Sequence, residues 1–152
     1  MSSGELQAEI AVEFEALRTV VSELDALRAD VAAREPTVRE KTAAAAFLAQ
    51  FYSGVENVLK RLSRFHGVAL PAGENWHVDL FKRFCPPERP PLPVLFDDDL
   101  SRQLGAFRRF RHVVHHGYGF QIDWDRMREG LDQVGLVMGS FRGRVEAHLG
   151  SL

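Results

Sequence analysis

The chain carries a single cysteine, Cys85. No internal disulfide can form, and the missing cysteine framework fits a reducing compartment, so a cytoplasmic protein is expected. Cys85 sits beside Pro86 with no partner histidine at a usable spacing, which argues against a catalytic thiol. No apolar run approaches the ~20 residues that a membrane span needs. The opening MSSGELQAEIAVEFEAL is acidic and amphipathic, without a basic region leading into an apolar one, and is not read as a signal peptide. Charge of one sign is also missing. Lys and Arg number 19 against 21 Asp and Glu, for a net charge of −2. Attraction for a polyanion must therefore come from local patches. There is no phosphate-cradling glycine loop, no G-x-S-x-G and no dinucleotide fingerprint. No internal repeat and no convincing strand appear.

Proline is concentrated rather than scarce. Five of the seven prolines fall within Pro86–Pro93, leaving long stretches free of breakers. Glu5 to Arg34 has neither proline nor glycine. Its apolar residues Leu6, Ile10, Phe14, Leu17, Val21, Leu24, Leu27 and Val31 recur at steps of three and four, which predicts a long amphipathic helix capped by Ser2 or Ser3. Pro36 ends it. Thr37 with Glu40 has capping-box spacing and starts a second helix to about His66, where Gly67 is a natural stop. Apolar residues spread over two faces of this helix: Val38, Ala45, Leu48, Tyr52, Val55, Leu59 and Leu62 on one, Phe47, Phe51, Val58 and Phe65 on the other. It is expected to be the central, most buried element.

Glu74–Cys85 predicts a short helix through Trp76, Leu80, Phe81 and Phe84. Pro86–Pro93 is a stiff extended connector. The run Asp97-Asp98-Asp99 reads as a helix cap with acidic first-turn residues rather than a calcium loop, since no glycine or glutamate follows at the required spacing. That helix runs from about Asp98 to about His116 on a stripe of Leu100, Leu104, Phe107, Phe110 (or Arg111) and Val114. Phe120–Ile122 is expected to be an extended link. Asp123 caps a last helix reaching about His148, where Gly130, Gly135 and Gly139 are candidates for close contacts. The fold class is all-α: an antiparallel bundle of four main helices plus a short fifth, in a single domain over residues 1–152.

The chemistry is concentrated in Phe107–Phe120, FRRFRHVVHHGYGF, with Arg108, Arg109, Arg111, His112, His115, His116 and Tyr118. Arginine grips phosphate through a planar fork and keeps its charge, while histidine exchanges protons near neutrality. Together they suit RNA cleavage, because RNA carries its own nucleophile, the 2′-OH. Arg111 and His116 are five residues apart, about 140° around an ideal helix. Gly117 frees the end of that helix, and a cleft between two subunits would also bring both groups to one substrate. Lys60, Arg61 and Arg64 are either a solvated face near a helix end or part of a phosphate-binding surface. His112 and His116, at i and i+4, have metal-ligand spacing, but a third ligand would have to come from His115, His66, His77 or Asp97–Asp99. His66, His77 and His148 are expected at the surface or as caps. No metal and no cofactor is assigned.

Arg111-His112-x3-His116 resembles the R-φ-x3-H signature of the HEPN superfamily. With Tyr118 it is similar to the R-x4-H-x-Y form of the HepT-like ribonuclease toxins. Tyr52-Ser53-Gly54-Val55-Glu56, Glu74-Asn75-Trp76-His77 and Tyr118-Gly119-Phe120 followed by Asp123 extend the likeness from about Phe47 to Val134. The resemblance implies a homodimer whose motif residues face one cleft and cleave RNA without metal. Arg111 would stabilise the scissile phosphate and His116 act as base or acid, with His115 the alternative. His112 would orient the active groups, and Arg108, Arg109, Lys60 and Arg64 would contact RNA. A minimal nucleotidyltransferase antitoxin would attach AMP to Tyr118. Two other readings stay open: a non-catalytic HEPN-like module binding nucleotide or protein, and a metal-binding helical bundle.

Overall fold

The computed structural model describes residues 1–152 as five α-helices: α1 (Ser3–Asp30), α2 (Val38–Phe65), α3 (Trp76–Lys82), α4 (Asp98–His116) and α5 (Trp124–Gly150). A 3-10 turn over Gly119–Gln121 joins the last two. No sheet forms; one isolated bridge pairs Arg89 with Leu92 inside the proline-rich connector.

Local chemistry sets the helix ends. The Ser2 hydroxyl accepts from the Glu5 N–H, Thr37 and Glu40 complete a reciprocal capping box, and the Asp97 and Asp123 carboxylates cap α4 and α5. After α2 the chain turns at Gly67, whose φ of +71° is a region other residues rarely adopt. α1 stops at Asp30, short of the expected Arg34. Arg34 instead grips Glu40 through two contacts of 2.7 Å, and that guanidinium, with the Thr37 N–H, pulls the Glu40 carboxyl down to about 2. The expected extended link at Phe120–Ile122 is a 3-10 turn closed by the Gln121 N–H donating to the Tyr118 carbonyl and that of Ile122 to the Gly119 carbonyl.

α2 is the hub, packing against all four other helices and the 3-10 turn. Its buried set includes Leu48, Phe51, Tyr52, Val55, Val58, Leu59 and Leu62, so both expected faces are used; Val38, on the first turn, is exposed instead. The core of 32 residues draws on every helix and on Leu92, Leu95 and Phe96 of the connector. α1 lies close on α2 because residue 54 has no side chain: a Cβ there would sit 2.4 Å from Leu17 Cδ2. Of the α5 glycines, Gly130 meets Leu48 and Phe110, whereas Gly135 and Gly139 face open space and support no close contact. Arg61 on α2 is held by Glu9 (2.7 Å) and Glu13 (3.0 Å) of α1 and is spent there.

His66 and His148, expected at the surface or as caps, pack together across the ends of α2 and α5 with Nε2 atoms 2.9 Å apart, His66 being the C-cap residue of α2. One ring must carry its proton on Nε2 and the other on Nδ1. Burial lowers the proton affinity of both, and for His148 the neighbouring His66 adds to the effect.

Two predictions follow from the packing. Gly54→Ala should cost about 1–3 kcal/mol in denaturant unfolding by overpacking Leu17, whereas Gly135→Ala should gain about 0.5–1 kcal/mol. The unfolded chain takes up protons on His66 and His148 more readily than the folded one. Their contribution is thus fully present above the ordinary value of 6.5 and is lost as pH falls toward the depressed folded values. Thermal melts should fall between about pH 7 and pH 5, and less steeply in the His66→Asn/His148→Asn double variant.

Candidate active site

The site begins with a charge where charge is costly. Glu56 lies in the middle of α2, between Val55 and Val58, and is 2% exposed. A carboxylate so placed must be paired. Two elements supply partners. From α4, Arg111 brings Nε to 3.0 Å from Glu56 Oε1. From α3, the His77 Nδ1–H donates to Glu56 Oε2. The Arg111 contact is an ion pair rather than an aligned hydrogen bond, since its N–H does not point along it. The two terminal nitrogens of Arg111 make no bond within the chain and reach solvent.

The helix stripes explain this placement. Leu100, Leu104, Phe107 and Phe110 bury one face of α4, and Arg111, one step beyond Phe110, turns toward α2 at the rim of the core. Its guanidinium lies 5.8 Å from the centre of the Trp76 ring, and Lys60 Nζ lies 4.4 Å from the same ring. The His77 ring lies against its neighbour Trp76. Burial pushes the proton affinity of His77 below its ordinary value, and Arg111 and Lys60 push the same way. Glu56 opposes them without reversing the result, so His77 is a neutral donor to a carboxylate. One turn before Glu56, the Tyr52 hydroxyl is buried without a partner; burial and the Glu56 charge push its ionisation far above the ordinary range.

The other motif residues lie outside this pocket of charge. His112, His115 and His116 are all exposed. The rings of His112 and His116 lie 4.5 Å apart, tilted, as i,i+4 neighbours. No hydrogen bond or ion pair joins any of them to Arg111; His115, at i,i+4, lies nearest to it in direction, whereas His116 is about 140° away around the helix. Tyr118 is 67% exposed on extended backbone, with its ring 5.7 Å from that of Phe120. The turn carrying it is pinned to α2, because a Cβ on Gly119 would lie 2.7 Å from Ala45 Cβ. Gly117 has extended backbone, and a Cβ there would meet only the Val113 carbonyl at 3.4 Å, so alanine would fit.

Of the four cations assigned to RNA contact, Lys60 joins the Trp76 cluster. Arg64 lies exposed one turn further along α2. Arg108 is half-buried over the Phe81 ring at 5.6 Å, and Arg109 is exposed. Nowhere do three His, Cys, Asp or Glu side chains converge as a metal site. Among the third ligands considered for a metal, His77 is turned to Glu56, His66 to His148, and Asp97 to the α4 cap and Arg144.

From the sequence, Glu56 stands only as a point of likeness, Trp76 also as part of the apolar spacing of the short helix, and His77 is expected at the surface or as a cap. The structure corrects this: His77 is tied to the buried carboxylate and half-buried beside Arg111. The available signal was a glutamate set among apolar residues in the helix read as most buried.

The all-α architecture, with an Arg- and His-rich end to its fourth helix, is consistent with a HEPN-like helical bundle. Residues 43–152 match the family model described as "HepT-like protein", and the chain belongs to the HepT-like family. No curated protein and no solved structure gives a significant match. The matched region holds α3, α4, α5 and nearly all of α2, and omits α1.

The buried pair makes a stability prediction. Arg111→Ala leaves Glu56 with His77 alone and should cost about 3 kcal/mol. With Glu56→Ala, denaturant titrations of the two single variants and the double variant should reveal a coupling of about 0.5–3 kcal/mol. Additive effects would mean that the two charges do not interact.

Proposed function

We propose that this chain is a metal-independent endoribonuclease, the toxin of a pair completed by a minimal nucleotidyltransferase antitoxin and acting in the cytoplasm. The observation that carries the reading is Arg111 itself. Its Nε is fixed by a buried carboxylate, while both terminal nitrogens are left free to grip a phosphate, on the same helix end as exposed His116. The 2′-OH loses its proton and its oxygen bonds to phosphorus. Arg111 stabilises the charge that grows there, and the P–O5′ bond breaks as O5′ gains a proton. His116 serves in proton transfer, with His115 as the alternative, and His112 orients the active groups. Lys60, Arg64, Arg108 and Arg109 attract the RNA backbone.

The separation of Arg111 from His116 within one chain supports a homodimeric cleft in which two copies complete the site. The exposed apolar residues Val113, Tyr118 and Phe120 beside it would suit such an interface. The exposure of Tyr118 supports a role for it as acceptor of AMP from the antitoxin. One observation favours a rival. Arg111 is engaged by Glu56 and its side chain is only 18% exposed, as a purely structural arginine would be. A non-catalytic HEPN-like module would then bind RNA or nucleotide without turnover.

Wild type, Arg111→Ala and His116→Ala should be expressed separately, with growth and RNA cleavage measured in EDTA. Each variant should lose about 10²–10⁴-fold in cleavage and relieve growth arrest. Equal behaviour of all three rejects the ribonuclease reading, and tight RNA binding without turnover establishes the rival. Co-expression with a neighbouring nucleotidyltransferase should add the mass of AMP at Tyr118 and none in Tyr118→Phe.

A further inference from the structure

Resting on the ribonuclease reading, we propose that His77 is the general base of the site, oriented by Glu56, and that the motif residue His116 is the general acid. Three features carry this. Arg111 and His77 are bound to the two oxygens of one buried carboxylate, so the imidazole stands beside the guanidinium that would hold the phosphate. Glu56 accepts the Nδ1–H of His77 and thereby fixes the tautomer that leaves Nε2 with its lone pair. Neither His115 nor His116 has a carboxylate to orient it; the His116 ring lies tilted against that of His112.

The charges facing His77 are Glu56 and Lys60 from α2 and Arg111 from α4. With burial they leave it neutral at pH 7, as a base must be, without cutting it off from solvent: the side chain is 22% exposed. The opposite task, giving a proton to the departing oxygen, falls to the motif residue His116 at the exposed end of α4. In the step itself the 2′-O–H proton passes to His77 Nε2, O2′ bonds to phosphorus, the P–O5′ bond breaks, and O5′ takes the proton of His116. The products are a 2′,3′-cyclic phosphate and a 5′-hydroxyl. No oxidant, reductant or further reactant is needed.

Leaving-group chemistry tests this assignment. RNA carrying a single 5′-bridging sulfur in place of O5′ expels a thiolate, which needs no general acid. His77→Asn keeps a side-chain N–H for Glu56 while removing the base, and His77→Gln serves as a second variant if the first melts early. Against all-oxygen RNA, His77→Asn and His116→Ala should both be slower by about 10²–10⁴-fold. Against the sulfur-bridged RNA, His116→Ala should recover to near the wild-type rate and His77→Asn should not. The acidic limb of the kcat/KM pH profile should vanish in His77→Asn and persist in His116→Ala.

If the sulfur substrate rescues His77→Asn instead, His77 is not the base and the proposal fails. Wild-type rates for a folded His77→Asn overturn this proposal alone and leave the ribonuclease reading standing. A wild-type protein that cleaves neither substrate overturns both.

Discussion

The arrangement of α2, α3 and α4 depends on keeping the charge of Glu56 inside the protein. Removing a carboxylate from water costs several kcal/mol, and attraction to a partner rarely returns much more than that. The pairing with Arg111 and His77 is thus poorly explained as a source of stability, since an apolar side chain at residue 56 would pack as well. Its effect is positional. One carboxylate has two oxygens about 2.2 Å apart in ordinary carboxylate geometry, and occupying each from a different helix fixes the register of α3 and α4 against α2. The partnerless Tyr52 hydroxyl one turn away adds a second polar group inside the same hub. Burial and neighbouring charge perturb His77 and Tyr52 here, and perturbed groups of this kind cluster at functional sites.

The end of α4 is built on a different plan. Arg111 is fixed from within, but His112, His115, His116 and Tyr118 stand in solvent with little to hold them. The turn beneath them is nevertheless firm, because Gly119 rests directly on Ala45 of α2. A rigid base carrying exposed side chains is ready to meet another surface, whether a second copy, a nucleic acid or a modifying enzyme, without reordering backbone on contact.

What could be read in the sequence was what is decided locally. Ser2, the Thr37–Glu40 box, Asp97, Asp123 and Gly67 act within three or four residues, and they marked the helix ends correctly to within a few positions. The apolar stripes gave the buried faces for the same reason. The errors arose where distant residues decide. His77 meets Glu56 at a separation of 21 residues and His66 meets His148 at 82, and no periodicity carries such pairings. The glycines of α5 follow the local rule: Gly130 shares the face of Met127 and Val134 and is pressed by Leu48 and Phe110, while Gly135 and Gly139 face nothing. The candidate site was legible as a list of side chains on α4, but its inner half on α2 and α3 became visible only through tertiary contact.

α1 lies outside the residues that define the family, yet it is not loosely attached. Leu17 fills the space that a side chain at residue 54 would need, and Glu9 and Glu13 neutralise Arg61. The two helices are consequently coupled at these contacts. A larger residue at 54 is admissible only alongside a smaller one at 17, and loss of the acidic pair would leave an arginine free to add its charge to the basic end of α2. Lineages that replace or shed this first helix should therefore carry compensating changes at those two positions of the second, so that residues 54 and 61 record, in each relative, which kind of first helix it kept.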